Sequence, residues 1–486
     1  MQLGQILKSL NYATSCDIND INITSLCFDD RQVNKGSLFF CLNGQEKDGH
    51  NYAQNAVKNG AAALVVEHYV DANVPQILVQ DARTSMALIS ANFYNNPADK
   101  LKIIGVSGTN GKTSTTYIIA QILKTAGYKV GVIGTIGVVV NDKRFPSTMT
   151  TPDPTAFHQI LAQMVENKVD YVVMEVSAHA LALKKMAGIK FEVGVLTNIT
   201  QDHLDYFKTF SHYANTKLDF ISPKYCKSAV VNLDDHLVCT LFEKYQNTNF
   251  LCRGFGLNNK QDATCNNFCI NADGIKFSMQ INGHNLNCST NLRGKFNLYN
   301  IMGAVVACKN VGIADCDICK GVETIQPITG RFDVMPLFNG ASVVIDYAHT
   351  PDGLQKILTS AREICQGRLI SVFGCGGNRD KTKRPIMGKI SAQIADYTII
   401  TSDNPRYEKP LDIILQVKKG VDDRKNLKCI IDRQEAIQYA VSISKQNDIL
   451  VVSGKGAEDY LEIKGQKIPY SDYEVIKQIN NKEVHL

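Results

Sequence analysis

The sequence predicts an α/β protein of three domains, and three observations lead there. The chain is 486 residues long, too long for a single core at about 150 residues per domain. Continuous Val/Ile runs of strand length alternate with helix-length segments, the pattern of a parallel sheet buried on both faces. One of those runs, KIIGV (102–106), opens directly into the glycine-rich stretch SGTNGKTS.

Residues 1–97 form the first predicted domain, with strands GSLFFCL (36–42) and AAALVV (61–66) and a helix through ARTSMALISANF. The triplet Asn95-Asn96-Pro97 is a turn signal and marks its end. Residues 98–329 form the second, with apolar runs at 102–108, 129–135, 170–177, 192–199 and 228–235. Within it, residues 250–295 alternate and turn at Asp273-Gly274 and Asn282-Gly283, which predicts antiparallel hairpins before a helix through FNLYNIMGAVVACKNVG. Residues 330–486 form the third, where SVVIDYA, RLISVFGCGG, DYTIITSDNP and DILVVSGKG each run from a strand into polar or Gly-rich residues. Ligands bind at such strand ends in open α/β sheets.

Composition narrows the function. Hydrophobic residues make up 44% and charged residues 20%, as in soluble globular proteins. The net charge of +5 is small and its Lys and Arg are scattered, so no nucleic-acid footprint is visible. The N-terminus has no charged leader before an apolar core, and no apolar run approaches the about 18 residues a membrane span needs. The expectation is a cytoplasmic protein without membrane insertion, monomeric by default. Fifteen cysteines, an odd number, fit reduced thiols. Cys316 and Cys319 form a lone CxxC, which helical packing at i, i+3 explains as well as a metal does.

The loop after KIIGV has the context of a phosphate-binding loop: strand before, helix after. Backbone N–H groups from Gly108 to Gly111 can surround phosphate oxygens, Lys112 can meet the outer phosphates and Thr113 can hold Mg²⁺. Strict spacing would put Gly at 106, where this chain has Val106, so the loop is a variant. Glu175 ends an apolar strand in MEVSAHAL, where an acid can hold a nucleotide's Mg²⁺ or stand simply solvated. Asp202, His203 and Asp205 follow another strand end and offer a second metal ligand. DYAHTPD repeats the acid-and-His arrangement in the last domain. DNPR carries Arg406, whose planar fork suits a carboxylate, although taken alone the turn reads as surface structure. With Arg379 and Glu458 it makes an Arg/Arg/Glu set able to bind a zwitterion.

Taken in order, GTNGKTS, TTPD, EVSAH, NITQDHLDY, GKFNLYN, TGRFD, DYAHTPD, GCGGNRDKTKRP, SDNPR and SGKGAEDY resemble the Mur ligases of bacterial peptidoglycan synthesis over nearly the whole chain. FDDRQVNKGSLFFCLNGQEKDGH looks like that family's UDP-binding domain. The resemblance implies a small N-terminal α/β UDP-binding domain, a central P-loop ATPase-like parallel sheet with an antiparallel subsheet, and a C-terminal Rossmann-like domain. It implies ATP-dependent amide synthesis through an acyl phosphate.

It further implies a nucleotide site of Gly108, Thr109, Asn110, Gly111, Lys112, Thr113, Ser114, Asn297, Arg331, Asp346 and His349. The catalytic groups it implies are Lys112, Glu175, His203 and Lys217. Two Mg²⁺ ions are implied on Thr113, Glu175, His203 and Lys217, the last carbamylated so that it is an anion. For UDP-N-acetylmuramoyl-L-alanyl-D-glutamate it points to Asp30, Gln45, Glu46, Lys47, Thr150, Thr151, Ser177 and Lys185. Asp30 stands where Ser is usual, Leu183 where Gln occurs and Lys185 where Arg is common. Arg in DNPR marks relatives that add meso-diaminopimelate, whose second carboxylate lysine lacks. Arg379, Asp403, Asn404, Pro405, Arg406, Gly454 and Glu458 are the amino-acid set on that basis. The rival readings are a lysine-adding ligase, a folate-type glutamate ligase and an ATP-hydrolysing switch. The folate-type ligase needs no UDP domain, and the switch leaves DYAHTPD and DNPR unexplained.

Overall fold

The computed structural model describes every residue except 15, 19, 45–46, 142, 146–148, 259–261, 272, 282, 422–425 and 484–486. Two expected site residues, Gln45 and Glu46, and Asn282 of an expected turn therefore lie outside the described residues. The architecture is α/β with three domains: an N-terminal sheet, a central parallel sheet with an antiparallel subsheet, and a C-terminal sheet. Its residues group into two compact units, one of Met1–Ser107, Gly127–Val195 and Asp219–Ala229, the other of Gly108–Ala126, Leu196–Leu218 and Val230–Leu486.

In the first unit, β1 (Ser25–Cys27), β2 (Ser37–Phe40), β3 (Ala61–Val66) and β4 (Gln76–Leu78) make a parallel sheet in that order. The alternation of β2 and β3 sends Leu38, Phe40, Ala63 and Val65 to one core and Phe39, Cys41, Leu64 and Val66 to another. The helix Ala82–Phe93 closes the first of these. It starts where Asp81 Oδ1 accepts the N–H groups of Arg83 and Thr84 at 3.0 and 3.1 Å, an N-cap that satisfies two orphan donors.

The same unit carries β5 (Lys102–Ser107), β6 (Val130–Gly134), β7 (Gly137–Val140), β8 (Lys143–Phe145), β9 (Tyr171–Glu175), β10 (Phe191–Leu196) and the start of β11 (Cys226–Asn232). Their order is β11-β10-β5-β9-β6-β7-β8, with β5, β9 and β6 parallel. These central strands are buried on both faces, which is why their sequence runs read Val/Ile throughout. The short β7 and β8 turn back antiparallel at the edge.

In the second unit, β12 (Leu251–Gly256), β13 (Ala263–Asn271), β14 (Gly274–Ile281) and β15 (His284–Thr290) follow one another, the last three antiparallel. The expected turn at Asp273-Gly274 is there: Asn271 Oδ1 accepts the N–H groups of Asp273 at 2.9 Å and Gly274 at 3.2 Å. The CxxC cysteines sit in the helix Asp315–Glu323, as i, i+3 packing requires, with Cys319 Sγ 2.8 Å from Cys288 Sγ.

The C-terminal sheet of this unit uses β16 (Asp333–Pro336), β17 (Ser342–Asp346), β18 (Leu369–Phe373), β19 (Tyr397–Ile400), β20 (Leu427–Cys429) and β21 (Ile449–Ser453) in the order β16-β17-β21-β18-β19-β20. Only β16 is antiparallel. Val344, Leu369, Phe373 and Val451 face the helices Pro351–Ile364 and Lys383–Ile394, while Val343, Ile370, Val372 and Val452 face Arg433–Ile443 and Asp472–Glu483. A sheet covered on both sides presents its polar groups at the strand ends, and Asp346, Gly374 and Gly454 lie there. A hairpin of β22 (Tyr460–Ile463) and β23 (Gln466–Pro469) follows.

Candidate active site

The loop after β5 is held open by its neighbours. Gly108 has φ +146°, and a Cβ on it would lie 1.9 Å from Thr197 Oγ1, so only glycine fits. Thr197 Oγ1 donates to the Asn110 carbonyl at 2.6 Å, and Asn198 Oδ1 accepts the Asn110 N–H at 3.0 Å. The Thr109 hydroxyl meets Tyr213 OH at 3.0 Å and accepts the Thr200 N–H at 2.9 Å. The helix Lys112–Thr125 begins next. Lys112 Nζ reaches back to the carbonyls of Gly108 and Thr109 at 2.8 and 2.9 Å, and Lys217 Nζ donates to the same Gly108 carbonyl at 2.8 Å. Thr113 and Ser114 are buried in the first turn.

Lys217 is fully buried. Burial, and then the Lys112 charge, drives its ammonium well below the ordinary lysine range, against a smaller pull from Asp202. That shift favours the neutral, nucleophilic form of the amine over the ammonium. Asp202 is itself a hub: its carboxylate lies 3.3 Å from His203 Nε2, 3.7 Å from His349 Nε2 and 3.9 Å from Lys383 Nζ. Burial works to raise its pKa, but those cationic neighbours outweigh it and hold the carboxyl well below its usual value. His203 sits at φ +54° before the short helix Leu204–Phe207, and Asp205 lies 3.7 Å from Arg379.

Of the nucleotide residues expected from later motifs, Arg331 directly meets the helix that follows this loop. Arg331 NH2 donates to Thr113 Oγ1 at 2.8 Å while its guanidinium lies 4.6 Å over the Tyr347 ring. Asn110 Nδ2 donates to Asp352 Oδ2 at 2.7 Å. Asn297 accepts from Asn300 Nδ2 at 3.0 Å, and Asn300 faces Thr115. Asp346 takes the N–H groups of Phe332 and Ala348, each at 2.7 Å, and burial raises its carboxyl despite Arg331 nearby. His349 Nδ1 bonds the Tyr347 carbonyl at 2.9 Å.

The amino-acid set gathers at the ends of β18, β19 and β21. Asp403 is buried; burial raises its carboxyl, yet the charges of Lys455 and Arg433 leave it lowered overall. Asn404 Nδ2 donates to Glu458 Oε2 at 2.9 Å, and Lys455 Nζ joins both at 3.2 and 3.0 Å. A Cβ on Gly376 would meet Arg406 NH1 at 2.9 Å and come within 3.8 Å of Arg379 Cγ, so both arginines flank that glycine. Gly454 lies against Asp403, and the Pro405 carbonyl against Gly377.

The first unit holds its own cluster. Glu175 ends β9 almost wholly buried, with Oε1 accepting the Thr135 N–H at 2.8 Å and Oε2 the Thr135 hydroxyl at 3.1 Å. Thr150 meets Thr135 Oγ1 at 3.0 Å, and Thr151 Oγ1 lies 3.3 Å from Ser177 Oγ. Lys185 Nζ pairs with Asp153 at 2.8 Å. Asp30 starts the turn Asp30–Gln32 after β1, and Lys47 is exposed. Sequence reasoning missed Thr135, Thr197, Asn198, Tyr213, Asn300, Asp352 and Lys383. The Thr/Asn pair of LTNIT, at a strand end beside an apolar run, was the available signal for two of them.

A P-loop variant set against the strand ends of a doubly covered sheet defines an α/β protein of the nucleotide-binding P-loop class. Comparison with known proteins narrows this. The family model of the Mur ligase middle domain matches residues 106–308, that of the Mur ligase glutamate ligase domain residues 330–456, and that of the Mur ligase family catalytic domain residues 22–94. The chain is 40% identical over 483 residues to UDP-N-acetylmuramoyl-L-alanyl-D-glutamate--2,6-diaminopimelate ligase 1 of Clostridium acetobutylicum, covering 98% of this chain and 99% of that one. It is 41% identical to the diaminopimelate ligase of the same description from Clostridium botulinum, over 99% of each. A solved structure of a UDP-N-acetylmuramoyl-L-alanyl-D-glutamate--2,6-diaminopimelate ligase superposes with a TM-score of 0.68 at 28% identity, covering 97% of both chains. The chain belongs to the Mur ligase family.

Proposed function

We propose that this chain is an ATP-dependent ligase that joins meso-2,6-diaminopimelate to the D-glutamyl carboxylate of UDP-N-acetylmuramoyl-L-alanyl-D-glutamate. The carboxylate oxygen attacks the γ-phosphorus, the bond to the bridging oxygen breaks, and ADP leaves an acyl phosphate. The amine of the amino acid then adds to the acyl carbon, loses a proton, and phosphate departs as the amide forms. A carboxylate is a poor electrophile, so the phosphoryl group supplies its leaving group.

Residues 1–97 hold the UDP-muramoyl end in this reading, with Asp30 and Lys47 there and Thr150, Thr151, Ser177 and Lys185 further along. Residues 98–329 supply the nucleotide loop and residues 330–486 the amino-acid site. Lys112 neutralises the transferring phosphoryl group. Arg331, Asn297, Asp346 and His349 position the nucleotide. Two donors would suit a hard cation, the hydroxyl of Thr113 and the oxygen anion that a carbamylated Lys217 would provide, with the His203 imidazole as a third, nitrogen ligand. Glu175 is proposed for the same role on its own motif. Held by these residues, Mg²⁺ would offset charge on the phosphoryl oxygens.

The observation that carries the reading is the DNPR loop: Asn404 is bonded to Glu458, with buried Asp403 and Arg406 on the same loop, in the unit that also carries the Lys112 loop. A second carboxylate on the incoming amino acid gives Arg406 a bidentate partner. Phosphate release is the test, with ATP, Mg²⁺ and UDP-muramoyl-dipeptide present and meso-diaminopimelate or lysine added in turn. The reading expects release that depends on diaminopimelate. Release without any amino acid, or faster release with lysine, overturns it.

A further inference from the structure

Arg406 is engaged without any ligand. Its Nε lies 3.0 Å from Glu462 Oε2, and its NH1 donates to the Gly377 carbonyl at 2.9 Å. Glu462 stands on β22, in the hairpin that follows SGKGAEDY, and its main chain is fixed to the DNPR loop. The Arg406 N–H donates to the Glu462 carbonyl at 3.0 Å, the Lys464 N–H to the Arg406 carbonyl at 2.8 Å, and the Glu462 N–H to Asn404 Oδ1 at 2.9 Å. Arg406 holds φ +52° to make these bonds. The hairpin therefore walls the site, and Glu462 directs its carboxylate onto the Arg406 guanidinium, which the proposed function gives to the substrate.

We propose that Glu462 is a positioning residue for amino-acid selection: an internal carboxylate that occupies Arg406 until the second carboxylate of the incoming amino acid displaces it. The proposal rests on the reading of Arg406 above. Its physical basis is competition. A half-buried guanidinium left without an anion is costly, and Glu462 removes that cost by holding the fork in a fixed direction. Each carboxylate that binds Arg406 must then exchange with one already there, which weakens diaminopimelate binding. An amino acid lacking that group leaves the Arg406–Glu462 pair intact, so it does not strand the arginine. A lysine ε-ammonium even gains a nearby anion. Selection is thus set by the difference between two paired states, and the charge of Glu462 narrows it.

The experiment uses the full chain, with phosphate release measured at saturating ATP and UDP-muramoyl-dipeptide while diaminopimelate is varied. Glu462→Gln removes the charge and keeps the shape, and the main-chain bonds keep the hairpin in place. The expected result is a diaminopimelate KM about 3- to 10-fold lower, as for loss of a partly exposed ion pair, with kcat unchanged. The preference over lysine should widen by a similar factor. Glu462→Asp, which keeps the charge, should lie between. In an Arg406→Ala background Glu462→Gln should change nothing. A KM that stays the same or rises in Glu462→Gln, while Arg406→Ala alone raises it, overturns the proposal. Should Arg406→Ala leave the diaminopimelate KM unchanged, the underlying assignment of Arg406 is what fails.

Discussion

Arg331 donates to the Thr113 hydroxyl at 2.8 Å with its guanidinium stacked 4.6 Å over Tyr347. One side chain thus joins the first turn of the phosphate-loop helix to the strand end of β17. Thr113 is a proposed Mg²⁺ ligand, so the arginine orients the hydroxyl, and in the proposed site its positive charge would stand beside the phosphates. Arg331→Ala should raise the KM for ATP by about 10- to 100-fold, the equivalent of about 1.5–3 kcal/mol for a charged hydrogen bond. The diaminopimelate KM should move far less. Arg331→Lys should recover little, because an ammonium cannot stack on the ring while donating in a fixed plane. Steady-state titration of each substrate in turn checks this, and equal changes in both KM values refute it.

Asp202 collects His203, His349 and Lys383 within 3.9 Å. Replacing it by alanine leaves buried Lys383 and the partly exposed His203 and His349 together without their anion. The expected loss is about 1–3 kcal/mol of stability, read as a lower urea midpoint with an unchanged slope. Asp202→Asn keeps the shape and should lose less. Equal stability of wild type and Asp202→Ala sinks the idea.

Much of this was legible beforehand, because the relevant physics is local. Strands buried on both faces must be Val/Ile runs, and a loop that wraps phosphate must be rich in glycine, so the parallel strands and Lys112 are found from sequence alone. What escaped depends on residues distant in the chain. Nothing in TKRP tells that Arg384 is wholly buried, since it looks like part of a solvated charge run. It is held by both oxygens of Glu408 at 2.9 Å and by Gln416 at 2.8 Å, and the arginine lowers the Glu408 carboxyl to about 2. Glu462, between Leu461 and Ile463, likewise reads as the solvent face of an alternating strand. Its partner Arg406 comes from another strand end.

His158 lies in the helix Pro154–Glu166 with no exposed surface, and neither ring nitrogen has a hydrogen-bond partner among the described residues. Burial pushes its pKa down from 6.5 to about 4. Above pH 6.5 the ring is neutral in both folded and unfolded chains and contributes no pH dependence. Between 6.5 and 4 the unfolded chain takes up a proton that the folded one refuses, so stability falls as pH falls. The slope is about 1.4 kcal/mol per pH unit and the loss levels off near pH 4. His158→Leu should remove that slope. Denaturation midpoints for both proteins at pH 7.5, 6 and 5 test it, and parallel curves contradict it.

Lys217 is the sharpest case, since its chemistry depends on being buried beside another lysine. As an ammonium it would stand with Lys112 at the Gly108 carbonyl, two cations at one acceptor. Burial and the Lys112 charge push its pKa well below the ordinary lysine range, which favours the neutral amine, the form that adds CO₂ and loses a proton to give a carbamate. In the proposed function the new anion would turn repulsion from Lys112 into attraction and would offer Mg²⁺ a hard oxygen ligand. Activity should therefore rise with added bicarbonate after CO₂ has been stripped. Lys217→Ala should lose about 100-fold or more in kcat, on the scale of a missing electrostatic group. A short-chain carboxylate should restore part of it by lending the lost anion, and it should leave wild type unaffected. Lys217→Ala retaining full activity in CO₂-free buffer would show that the carbamate has no part in the reaction.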